Sequence, residues 1–182
     1  MNFKLLDNTK DIRKDFTDRF VMSWDEFQVK QKDWIAEMAN TNYPINMAWY
    51  EQSYMWDRMN PDFPCASMEE ALAFLREHSG SVFFMTEKGE DIYYQGKKLV
   101  DFIAEADAHT LAARIKKEWY DSYRLTAQNM YDPDAFLPED LYVFDISMKW
   151  CVVFTHETTD WESKIDNPMK AAESRYCIIC KV

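Results

Sequence analysis

His156 and Glu157 are the residues best suited by type to chemistry, standing directly after the apolar run Trp150–Thr155 (WCVVFT). A strand end is where side chains leave a core. An imidazole there can act as general acid or base near neutral pH, with the adjoining carboxylate as a polar anchor. Trp150 and Trp161 would supply aromatic walls to such a pocket. The simpler reading is a His that marks the strand exit and hydrogen-bonds locally. Asp145 lies at the far end of the partner strand, so a hairpin alone does not bring it beside His156.

The other candidate motifs weaken on inspection. His156–Asp160 (HETTD) shares two letters with the zinc-protease H-E-x-x-H, but its fifth residue is Asp160, and Thr158 and Thr159 are β-branched after a strand-like run. No metal site is expected there. Cys177-Ile178-Ile179-Cys180 spells C-x-x-C. The two isoleucines favour a strand, where residues three apart face opposite ways and the sulfurs diverge. These thiols, with Cys65 and Cys151, read as reduced, mostly structural groups. His78, at the end of a helix, and His109, at the start of one, read as surface residues. The isolated Gly89 and Gly96 lack phosphate-loop spacing, and no G-x-S-x-G elbow is present. No cofactor is expected.

The elements that would position these residues can be read from periodicity. Ile12, Phe16 and Phe20 mark one helix face. Ser23 with Glu26 and Ser67 with Glu70 are capping-box pairs that start new helices. Phe27, Trp34, Ile35 and Met38 form the inner stripe of the second helix, which runs toward Asn40–Asn42. Asn46 caps a third, expected to reach about Met59 and to carry Tyr50 and Tyr54 on a neighbouring face. Asn60–Cys65, with Pro61 and Pro64, reads as a loop. From Gly80 the texture turns to strands at Ser81–Thr86, Asp91–Tyr94 and Leu99–Ile103. Asp107 caps a long helix to about Met130, and strands follow at Asp140–Asp145, Trp150–Thr155 and Arg175–Lys181. Both faces of the Leu141–Thr155 hairpin are apolar, the pattern of strands covered on both sides. The expectation is a single α+β domain over residues 1–182. Its first part, 1–79, is mainly helical; 80–182 forms an antiparallel or mixed sheet with the helix 107–130 packed on it.

Charge narrows the partners. The net charge of −11 is carried by 32 acidic against 21 basic side chains. Such a surface repels nucleic-acid phosphate and anionic lipid, so neither partner is expected; it attracts a basic protein. No apolar run suits a signal peptide or a membrane helix, so the expected location is cytoplasmic. The aromatic content of 16% is high enough that some rings are expected at a surface.

Leu137–Glu157, with its DLYVFD…W…VFTHE segment closed by Arg175-Tyr176-Cys177, resembles part of a group of small uncharacterised bacterial cytosolic proteins. Some families of similar texture are immunity proteins of contact-dependent or polymorphic toxin systems. The resemblance implies a non-enzymatic acidic protein that binds another protein, and it carries no catalytic residues over. The binding residues expected are Asp132, Asp134, Glu139 and Asp140 with the rings Tyr50 and Tyr131. The alternative is a small-molecule-binding protein or enzyme with a pocket near His156.

Overall fold

The computed structural model describes residues 3–123, 140–158 and 175–182. The architecture is α+β, and its contacts divide into two compact units: Met1–Thr9 with Cys65–Val182, and Lys10–Pro64.

The Lys10–Pro64 unit is helical. α1 (Thr9–Phe20) buries Ile12, Phe16 and Phe20 at the expected i, i+4, i+8 spacing. Ser23 caps α2 (Trp24–Lys30) with both halves of the capping box formed. The long second helix expected from its stripe is divided at Gln31, whose φ of −105° interrupts the run before α3 (Lys32–Asn40). Asn46 caps α4 (Met47–Gln52) by accepting from the Trp49 amide. This helix stops seven residues short of Met59. Ser53 turns extended there, its hydroxyl donates to the Tyr50 carbonyl, and only a 3-10 turn, Trp56–Arg58, follows. A serine that offers the backbone such a local bond competes with helix continuation. Met22, Phe27, Ile45 and Tyr50 form the core, flanked by Trp24, Trp34, Ile35, Met38 and Trp49.

The other unit is an antiparallel sheet under two helices. Its seven strands are ordered β1-β6-β3-β7-β8-β9-β2. They are β1 (Lys4–Leu5), β2 (Cys65–Ala66), β3 (Ser81–Thr86), β6 (Ile103–Asp107), β7 (Leu141–Asp145), β8 (Trp150–Thr158) and β9 (Arg175–Lys181). A separate two-stranded sheet pairs β4 (Asp91–Tyr94) with β5 (Lys97–Val100). The returning partner of Ser81–Thr86 is therefore β6, not Asp91–Tyr94. The strand expected at Leu99–Ile103 is broken at Asp101, which adopts a φ of 46° and divides β5 from β6. Cys65, assigned to a loop by its prolines, instead opens β2 against β9.

α5 (Met68–Glu77) starts at the Ser67/Glu70 capping box, and the carboxylate of Asp107 caps α6 (Ala108–Tyr123) by accepting from the Thr110 amide at 2.8 Å. The two helices pack together, α5 on β8 and β9 and α6 on β6. Their apolar faces join Val82, Phe84, Ala104, Leu141, Val143, Val152, Phe154 and Cys177 in one core. The opposite face of the central strands is buried as well: Met85, Tyr142, Phe144, Cys151, Val153 and Cys180 are all fully buried. The hairpin's two apolar faces are thus both interior, as its composition requires.

Candidate functional site

The strand register collects polar side chains at one end of the sheet. Thr86 pairs with Leu141, and Leu141 with Phe154, so the next positions outward are Glu87, Asp140 and Thr155. Thr158 pairs with Arg175 at the start of β9, after a register irregularity between Phe154 and Thr158. Thr86, Glu87, Asp140, Thr155, Thr158 and Arg175 are buried there, although buried polar residues are uncommon. Asp101 joins the same end across β3 and β6, where its carboxylate accepts from the Gly89 amide at 2.9 Å.

His156 and Glu157 lie inside the irregular stretch, not beyond the strand: β8 runs three residues past the expected end at Thr155. An irregular stretch withdraws backbone amides from the ladder and leaves them to find other acceptors. Asp140 accepts the His156 amide at 2.9 Å, and the Thr155 hydroxyl accepts the Glu157 amide at 3.2 Å. The same Thr155 hydroxyl donates to the Tyr176 carbonyl at 2.8 Å, which ties β8 to β9.

Asp140 also holds the imidazole. Its two oxygens lie 3.1 and 3.0 Å from His156 Nδ1, and only 1% of the residue is exposed. A carboxylate only accepts, so Nδ1 carries the proton and Nε2 is left to accept, or to donate once the ring is charged. Nε2 lies 3.6 Å from Glu157 Oε1, a contact that becomes an ion pair on protonation. Beside this pair the Tyr142 hydroxyl donates to Glu87 at 2.5 Å, a short bond of the charge-assisted kind. The arrangement can orient an imidazole, take up a proton at Nε2, and present carboxylates to a cation.

The expected site residues separate on this geometry. Asp140 is not an exposed acidic contact but the buried partner of His156. The register that places it there was available from the hairpin itself, whose short Ile146–Lys149 connection fixes Asp140 opposite Thr155. Trp150 does not wall the His156 end. It stands at the other end of β8, buried between the rings of Phe74 and His78, with centroids at 5.2 and 4.4 Å. His78, expected as a surface residue, is half-buried in that stack, its Nδ1 2.7 Å from the Phe74 carbonyl. Tyr50 is not an exposed ring. It is 9% exposed, its hydroxyl donates to the Met22 carbonyl, and Arg58 lies over its face. Burial pushes its pKa up. Tyr131, Asp132, Asp134, Glu139 and Trp161 lie outside the described residues. Glu87, Asp101, Thr155 and Arg175 were not singled out from sequence, because only non-local strand pairing brings them together.

Cys177 and Cys180 lie on a strand and are buried on opposite faces, Cys177 in the core under the helices. Burial pushes the Cys177 thiol up to about 12. Among the described residues no group of three or more His, Cys, Asp or Glu is arranged to hold a metal ion, and no helix is long and apolar enough to cross a membrane. No protein-family model, curated protein or solved structure matches the chain significantly.

Proposed function

We propose that the chain is a non-enzymatic acidic protein, immunity-like in kind, that binds a basic protein through the acidic end of its sheet. The carrying observation is the convergence of Glu87, Asp101, Asp140 and Glu157 at that end. Charge supports it: Lys10–Pro64 holds seven basic and ten acidic side chains, so most of the −11 excess belongs to the sheet unit. Glu157 and Asp101 give the surface its accessible charge. Surfaces of this type steer a cationic partner and set specificity.

The test is the affinity for a basic partner isolated from the native host, measured against ionic strength. Binding should weaken at least about tenfold between low and high salt, and Glu157→Lys should weaken it further at low salt. A salt-independent affinity that Glu157→Lys leaves unchanged overturns the reading.

A second reading, a small-molecule or enzymatic pocket near His156, is favoured by the buried carboxylate on Nδ1, the arrangement by which a general-base imidazole is oriented. Screening a small-molecule library against the His156 ring resonances decides it. If no compound perturbs them, this reading is withdrawn.

A further inference from the structure

Cys151 and Cys180 are direct cross-strand partners in the β8–β9 ladder. Directly opposed residues of antiparallel strands have Cα atoms about 4.5–5.5 Å apart, within the span a disulfide bridges. Both side chains project to the sheet face away from α5 and α6, and both are fully buried. We propose that Cys151 and Cys180 form a dithiol–disulfide pair that locks β9 to β8 when a small-molecule disulfide oxidises it.

The position of Cys180 provides the opening that the reaction needs. β2 pairs with β9 only at Cys177 and Ile178, so among the described strands Ile179–Lys181 has β8 as its single neighbour. Strand segments with one neighbour open at lower free energy than those paired on both sides. Opening of Ile179–Lys181 lifts Cys180 off Cys151 while the Cys177 pairing with β2 and β8 persists. The zipped form protects the pair, because burial and the adjoining thiol both hold Cys151 in the protonated state.

The chemistry is two thiol–disulfide exchanges. The Cys180 thiolate attacks a small-molecule disulfide, forms a mixed disulfide and expels one thiolate. Cys151, deprotonated while the segment is open, attacks the Cys180 sulfur and expels the second thiolate. The protein loses two electrons and two protons, and the oxidant leaves as two thiols.

Oxidised glutathione is the probe. The reduced full-length chain is incubated with it in mild denaturant that frays strand ends, then free thiols are alkylated and the protein is mapped by mass spectrometry. The expected product is one crosslinked species, lighter by two hydrogens, joining the Cys151 and Cys180 peptides. Dithiothreitol should reverse it, and its melting temperature should lie several degrees above that of the reduced form, because a bridge of this loop length constrains the unfolded chain. Cys65→Ser should leave the product unchanged. Full alkylation of Cys151 and Cys180, a bridge between other cysteines, or a stable mixed disulfide at Cys180 overturns the proposal.

Discussion

Asp140 serves two donors at once, the amide of an irregular strand and the ring nitrogen of the same residue. Removing it takes the acceptor from both in a part-buried setting, which costs more than the net worth of the bonds. Asp140→Ala should lower stability by about 2–4 kcal/mol in urea titration, whereas His156→Ala, which spares the amide bond, should lower it by less than about 2 kcal/mol. Equal losses would mean that the ring, not the strand, is what Asp140 holds. The thiols give a second test at this scale. Cys65 is exposed, whereas Cys151, Cys177 and Cys180 are buried. With the Cys177 pKa at about 12, a thiol reagent at pH 8 should label Cys65 rapidly and Cys177 only on unfolding. His156 was legible as a candidate because it follows an apolar strand. Its partner was not legible from residue type alone, since it is the register of the hairpin that sets Asp140 opposite Thr155.

At the scale of elements, the local signals carried and the non-local ones did not. Both capping boxes form as spaced in the chain, since Ser23 and Glu26, or Ser67 and Glu70, need only each other. The Ser67 amide and hydroxyl both donate to Glu70 at 2.7 Å, and these bonds lower its pKa below the ordinary 4.5. A carboxyl group lowered in this way adds stability above its unfolded pKa and loses it as pH falls through the folded value. Ser67→Ala should therefore lower the melting temperature at neutral pH, with the difference from wild type narrowing as the pH falls below 4.5. A pH-independent difference would assign the loss to the bond between the Ser67 hydroxyl and the Glu70 amide alone. The end of α4 was misread because its aromatic spacing continues past Gln52 while Ser53 diverts the backbone. β1 and β2, two residues each, are too short for any periodicity to reveal. The partner of β3 could not be read because a hairpin lies between it and β6.

For the whole molecule, composition told more about charge than about rings. With a pI near 4.7 the folded chain repels itself at neutral pH, so added salt should raise the melting temperature by a few degrees. A fall instead would show that attractive ion pairs, such as Lys116–Glu69, dominate. The aromatic surplus suggested exposed rings, yet most described ones pack inward. Trp34 and Trp49 meet at 5.5 Å, Trp24 and Tyr50 at 5.4 Å, and all four border Phe27. Indoles held this close and at a fixed 61° share their electronic excitation. The far-ultraviolet circular dichroism of the chain should therefore contain an exciton couplet superimposed on its helical bands, which Trp34→Phe or Trp49→Phe removes while leaving the helices. The Lys10–Pro64 unit thus carries an optical signature of its own native packing, and a helix content taken from the uncorrected spectrum will be in error.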